Sequence, residues 1–180
     1  MPAEVDLTLL WSGLVLLLVG MVMVYSSSIA IAEASRFTSN HPTYFLVRHA
    51  VFLAIGLVAA ACAFQVPLAA WQKASPWLFV AGVVLLALVL IPGLGRDVNG
   101  ARRWLSLGIA NLQPSELMKL FAVLYAADYT VRKMAHMHQL RKAFLPMSGA
   151  MVVVGVLLLK EPDFGAFVVI ISIAIGILFL

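Results

Sequence analysis

Gly93 to Lys119 reads GLGRDVNGARRWLSLGIANLQPSELMK and separates two long apolar runs. It holds Arg96, Asp97, Arg102, Arg103, Glu116 and Lys119, six of the chain's twenty charged side chains (twelve Lys and Arg, eight Asp and Glu). Irregular backbone facing lipid leaves its hydrogen-bonding groups unsatisfied, so a polar stretch between spans must lie in water at a membrane face or line a cavity. Either position can hold a site.

Working outward, the rest of the chain is oily. Hydrophobic residues make up 63% of it and charged residues 11%, against roughly 45–50% and about 25% in a soluble domain. About 20 helical residues cross the hydrocarbon layer, and the apolar runs are too long and too numerous for a soluble core. The expected fold is all-α, a polytopic transmembrane helix bundle of about six spans forming one domain over residues 1–180.

Spans are expected at Leu7 to Ala32, Tyr44 to Val66, Ser75 to Ile91, Pro114 to Val131, Ala143 to Leu159 and Phe164 to Leu180. The first opens with Glu4 and Asp6, where a cleaved leader carries positive charge, and its apolar run exceeds a leader's 7–15 residues. Pro67 to Ala74 reads as a short turn, and Pro92-Gly93 stops the third span. Proline at the first position of the fourth wastes no amide hydrogen, and Ser115 and Glu116 suit the positive end of its dipole. Arg48 and His49 near the start of the second can reach the interface. The sixth run ends without a polar flank, which suggests a longer parent.

Cys62, the only cysteine, lies in an apolar run, which excludes an internal disulfide. The net charge of +4 is spread over several connections with no basic stripe, which excludes nucleic acid as a partner and fits membrane lipids. The connection Arg132 to Lys142 has four basic residues, His136, His138 and no acid, and reads as a juxtamembrane basic loop before a metal site. The positive-inside count ties: Lys73, Arg132, Lys133, Arg141 and Lys142 on one side, Arg36, Arg48, Arg96, Arg102 and Arg103 on the other. The dense 132–142 cluster favours that side as cytoplasmic, with both termini inside and the polar interruption outside.

Asp97-Val98-Asn99-Gly100 is a turn signal, and Leu105, Leu107 and Ile109 alternate with small or polar residues, as in a hairpin lying on the bilayer surface. Arg102, Arg103 and Trp104 could engage a pyrophosphate headgroup and stack on its lipid or sugar, or could simply anchor the protein at the interface. Glu116 and Lys119 are three apart on a helix and can pair, either as a structural bridge or as a polar floor where Lys119 meets an anion. Glu161-Pro162-Asp163 has the chemistry of a helix start, and Asp163 is expected on the same side as Trp104 and Glu116.

The runs Asn99-Gly-Ala-Arg-Arg-Trp-Leu105, Gln113-Pro-Ser-Glu-Leu-Met-Lys-Leu120 and Glu161-Pro-Asp-Phe-Gly165, with Tyr25-Ser26-Ser27, resemble the SEDS (FtsW/RodA) family of bacterial membrane proteins, nearer its FtsW branch than its RodA branch. The resemblance implies about ten spans and a peptidoglycan glycosyltransferase of cell division. Such an enzyme would polymerise lipid II at the septum of the inner membrane, beside a class B penicillin-binding protein and other division proteins. It also implies a divalent cation, Mg or Mn. By the same resemblance Trp104, Glu116 with Lys119, and Asp163 match important family positions; the chemistry of the residues themselves adds Arg102 and Arg103 as expected substrate contacts. The family's catalytic aspartate lies in a loop after the seventh span, so no general base is named here. A lipid II flippase and a non-catalytic division scaffold are the alternative classes. The 180 residues alone are expected to be inactive. Purified and supplied with lipid II, they should form no glycan; strand synthesis would contradict the assignment of the base to a later loop.

Overall fold

The computed structural model describes residues 6–34, 41–98, 100–106, 111–134, 141 and 144–179, the side chains of 178 and 179 excepted. Asn99, Leu107, Ile109, Arg36, His136, His138 and Lys142, which entered the reading above, lie outside the described residues. Within them are six α-helices, α1 (Leu7–Ala34), α2 (Tyr44–Gln65), α3 (Leu68–Leu90), α4 (Pro114–Lys133), α5 (Leu145–Lys160) and α6 (Phe164–Phe179), and three short strands, β1 (Gly95–Val98), β2 (Ala101–Ser106) and β3 (Asn111–Leu112). The class is all-α, a polytopic membrane helix bundle. Three helices, α1, α2 and α3, are by themselves long and apolar enough to cross a membrane. The apolar helices α5 and α6 have 16 residues each, and α4 has 20, with its charges near both ends.

The chain forms two compact units, residues 1–66 and 67–180. In the first, α1 and α2 are helices whose large apolar side chains are mostly exposed, the surface that suits lipid. Tyr44 and Phe45 pack edge to face at 5.3 Å, and the Arg48 guanidinium lies 5.7 Å from the Phe52 ring centroid. Both contacts hold a polar or aromatic group at a helix start, as an interface anchor should.

The second unit has a true core, in which Leu86 of α3, Met118 and Ala122 of α4, Met147 and Leu158 of α5 and Ile170 of α6 are all within 1% of complete burial. Small residues let the helices close up. A methyl on Gly82 would come 2.5 Å from the Met118 sulfur, and one on Gly155 would come 2.9 Å from the Phe167 ring. Without a hydrophobic drive between helices in lipid, such close packing supplies the attraction.

One boundary differs from the sequence reading. The third helix begins at Leu68, not Ser75, so Trp71 and Lys73 lie on the helix and not in a turn. Pro67, extended at φ −64° and ψ 144°, starts it, and the alanines at 69, 70 and 74 carry it through to Pro76. Proline inside a membrane helix is tolerated where neighbouring groups compensate the lost hydrogen bond.

After α3, Gly93 turns the chain at φ +94°, and Gly100 at φ +78° closes the hairpin. The strands pair antiparallel in the order β1-β2-β3, so the expected surface hairpin is present. Its register slips once. Arg96 faces Trp104 and Asp97 faces Arg102, which leaves Arg103 opposite no residue of β1. Such a bulge bends the strand and re-aims its extra side chain.

Gly95 seats this hairpin on α3. A Cβ there would lie 1.9 Å from the Val89 carbonyl oxygen and 2.7 Å from Cγ of Arg102, and the carbonyl belongs to backbone that cannot step aside. Gly95→Ala should therefore destabilise the full-length protein in detergent by roughly 3 kcal/mol, at the upper end for overpacking. Gly149→Ala, which meets nothing within 4 Å, should leave the thermal midpoint unchanged or raise it. Equal midpoints for the two variants would contradict this seating.

Candidate functional site

The bulge points Arg103 away from its own sheet and toward the turn between α5 and α6. Its Nε donates to the Glu161 carbonyl at 3.2 Å, and a terminal nitrogen donates to the Pro162 carbonyl. The last carbonyls of a helix have no partner within it. A guanidinium forked over the carbonyl of the α5 cap and the one that follows it ties strand β2 to the α5–α6 turn.

Asp163 ties in the remaining elements. Its Oδ2 accepts from the Ser115 hydroxyl at 2.7 Å and from the Gln113 side-chain amide at 3.1 Å, and its Oδ1 accepts from the Ala166 amide at 3.2 Å. The last bond caps α6. The first two reach back 48 and 50 residues to the start of α4. Gln113 also donates to Ser115 at 3.0 Å, which closes the cluster. Burial alone would raise the Asp163 pKa, but the Ser115 bond, the Ala166 amide, Gln113 and the nearby charge of Arg103 together hold it below the usual value. Asp163 is an ionised, fully occupied tie.

Glu161 is its opposite. The residue is completely buried, and neither carboxyl oxygen has a hydrogen-bond partner. Burial first, then repulsion from Asp163, pushes its pKa up to about 8, with Arg103 pulling the other way. Two carboxyls two residues apart thus hold different protonation states at neutral pH, because one has three donors and the other has none.

The other expected contacts lie at the same end of the bundle but outside this cluster. Lys119 and Glu116 pair at 2.8 Å, with 30% and 59% of their side chains exposed, so the bridge is open and not buried. Trp104 and Arg102 are half-buried on β2, and the stem of Arg102 lies over Gly95. The structure therefore joins Arg103 to Asp163 and leaves Glu116 with Lys119 as a separate pair. Sequence reading missed Gln113 and Ser115 as partners of Asp163. It took Glu161 only as helix-start chemistry, although three polar residues flanking a proline between two apolar runs was the available signal.

Asp163 and Glu116 do not by themselves make a divalent-cation site. Asp163 has its oxygens engaged by three donors, Glu116 is matched by Lys119, and among the described residues no three His, Cys, Asp or Glu side chains gather as a ligand set. No step below runs through a metal.

A family model described as cell cycle protein, FTSW_RODA_SPOVE, matches residues 7–180. The chain belongs to this FtsW/RodA/SpoVE family. It is 63% identical over 177 residues to a protein of Aromatoleum aromaticum named "Probable peptidoglycan glycosyltransferase FtsW", covering 98% of this chain and 43% of that one. A protein of the same name from Burkholderia thailandensis is 52% identical, covering 98% and 38%. Among solved structures, the rod shape determining protein RodA of Thermus thermophilus superposes with a TM-score of 0.62 at 29% identity, over 84% of this chain and 49% of that one. A chain from a study titled "Structural coordination of polymerization and crosslinking by a peptidoglycan synthase complex" gives 0.61 at 29%, over 84% and 44%. The chain thus spans less than half the length of these curated relatives.

Glu161 sets a pH dependence. Between about pH 4.5, its ordinary value, and about pH 8, the unfolded chain has released a proton that the folded chain retains, so folding stability falls as pH rises. Thermal midpoints of the full-length protein should drop across this window. Glu161→Gln should flatten the drop and raise the midpoint at pH 8; an unchanged slope would show that Glu161 is ionised in the fold.

Proposed function

We propose that the protein is a peptidoglycan glycosyltransferase that polymerises lipid II during septal wall synthesis, and that the hairpin end of the second unit receives the substrate's charged head. The supporting observation is the grouping of Arg102, Arg103, Trp104, Glu116, Lys119 and Asp163 at one end of a bundle whose middle is apolar. The relatives' printed names supply the reaction class.

In this reaction the sugar hydroxyl of one lipid II attacks the anomeric carbon of another, and undecaprenyl pyrophosphate leaves. Developing negative charge on the leaving group calls for preorganised cations. Lys119 suits this role, since it is a point charge held in place by Glu116 and still partly open. Arg102 and the Trp104 indole on β2 would offer a guanidinium and an aromatic face beside it. Arg103 and Asp163 have a different task, because their donors and acceptors are committed to protein partners. They hold the hairpin, the α4 start and the α5–α6 turn in register, so that the contacts on β2 and α4 face one site. Asp163, depressed in pKa and hydrogen-bonded on both oxygens, is poorly placed to take the hydroxyl proton, and we assign no general base within these residues.

By this reading the hairpin end faces the outside of the inner membrane, with the N-terminus cytoplasmic. The enzyme would act at the septum beside a class B penicillin-binding protein and other division proteins. A divalent cation, Mg or Mn, belongs to this reading through the family resemblance and is assigned to no residue here. The transporter reading asks for a polar path through the bilayer. Among the described residues of the second unit the charged groups gather at the two ends, while Ala122 and Ala126, with Phe121 and Leu124, occupy the middle of α4.

The test is lipid II polymerisation by the full-length protein with its penicillin-binding partner. Lys119→Ala should lower the rate about 10- to 100-fold, the scale of one lost charge-assisted hydrogen bond, with protein yield maintained. Lipid II translocation in vesicles should not follow the same variant. Full polymerisation with Lys119→Ala, or loss of translocation alone, would overturn the proposal.

A further inference from the structure

The opposite end of the second unit carries a second polar assembly that the glycosyltransfer reading does not use. Asp128, 8% exposed on α4, accepts from the Ser75 hydroxyl of α3 at 2.8 Å and from a terminal nitrogen of Arg132 at 2.8 Å. A cleft opens on both sides of this carboxylate, between the first turns of α3 and the last turns of α4. One part, of about 460 Å3, is bounded by Gln72, Lys73, Pro76 and Arg132. The adjoining part, of about 200 Å3, is walled by Leu68, Trp71, Leu124, Ala127 and Val131.

We propose that this cleft binds an anionic glycerophospholipid, with the headgroup phosphate between Lys73 and Arg132 and an acyl chain along the apolar wall. The charge favours an anion. Asp128 is matched by Arg132 through one nitrogen, which fixes the guanidinium at the mouth and leaves its other donors for a ligand. Lys73 is exposed and has no ion-pair partner among the described residues. The start of α3 lies beside the cleft with no side chain capping it, and its free amides add positive potential. Lys133 ends α4, and Arg141 follows in a connection whose sequence contains no acid. The shape favours a lipid over a free anion, because the polar mouth runs on into a wall of aliphatic side chains and the Trp71 ring, the residue type that sits at headgroup depth.

Among the described residues of α3 and α4 the one carboxylate facing the pair of cations is Asp128, since Glu116 lies at the other end of α4. Removing Lys73 should therefore weaken binding without breaking any contact that holds the fold. Removing Arg132 leaves Asp128 with Ser75.

The experiment uses the full-length protein in phosphatidylcholine nanodiscs, with phosphatidylglycerol brominated on its acyl chains as the probe and brominated phosphatidylcholine as control. The difference between wild type and Trp71→Phe isolates the quenching of Trp71 from that of the protein's other tryptophans. Brominated phosphatidylglycerol should quench it at a lower mole fraction than brominated phosphatidylcholine. Lys73→Gln should cost about fivefold of that preference, the worth of one basic residue near an anionic surface, and Lys73→Gln with Arg132→Gln should abolish it. Millimolar inorganic phosphate should leave it intact. Equal quenching by the two lipids, no quenching by either because another part of the protein fills the cleft, displacement by inorganic phosphate, or a preference unchanged in Lys73→Gln would each overturn the proposal. Lys73→Gln touches no structural contact, so it decides even if the double variant does not fold.

Discussion

The hairpin end of the bundle depends on how one buried carboxylate is satisfied. Asp163 stands where α5 has ended and α6 begins, 6% exposed, and a charge so placed is costly unless donors surround it. Ser115, Gln113 and the Ala166 amide do so, and each hydrogen bond to an ionised group is worth about 1.5–3 kcal/mol. Because two of those donors come from the start of α4, the same bonds that solvate the charge also lock two helix ends together. Arg103 adds the hairpin by covering the carbonyls of Glu161 and Pro162. The hairpin and the α4 start, consecutive in the chain, are thereby held to the α5–α6 turn about fifty residues on by one polar knot, and the exposed side chains of β2 and α4 inherit their positions from it.

Along the second unit, ionic groups are disposed as a membrane protein requires. Glu116 is matched by Lys119 at one end of α4, and Asp128 by Arg132 at the other, while the core between them is aliphatic and aromatic. Among the described carboxyl groups of the second unit, Glu161 is the buried one that breaks the pattern. It is buried without a partner, and it remains tolerable because it keeps its proton at neutral pH. A neutral acid there lets the carbonyl side of the turn face Arg103 without a second negative charge beside Asp163. Local frustration of this kind is commonly retained next to functional sites.

Much of this was legible in the residues. The first two spans and the last three appear where hydropathy puts them, to within about two residues at most ends, because lipid imposes length and apolarity directly. The start of α3 was not legible, since Pro76 and Lys73 both argue locally for a turn while the helix is held by packing against α4. Spacing alone paired Glu116 with Lys119. The knot around Asp163 was invisible to any periodic pattern, as its bonds span about fifty positions. The bulge that frees Arg103 depends on strand register, which two adjacent arginines cannot reveal. The chemistry of the residues put Arg103, and resemblance to the family put Asp163, among the candidates, but only the folded chain separates them as organisers from Lys119 and Trp104 as candidate contacts.

If the knot makes the hairpin, the α4 start and the α5–α6 turn one cooperative unit, loosening it at one residue loosens all three. Hydrogen–deuterium exchange of the full-length protein in nanodiscs, wild type against Asp163→Ala, should then show faster exchange in residues 95–106, 113–117 and 161–167 together, with α1 and α2 unchanged. Faster exchange confined to residues 161–167 would contradict it, and Asp163 would then be no more than the cap of α6.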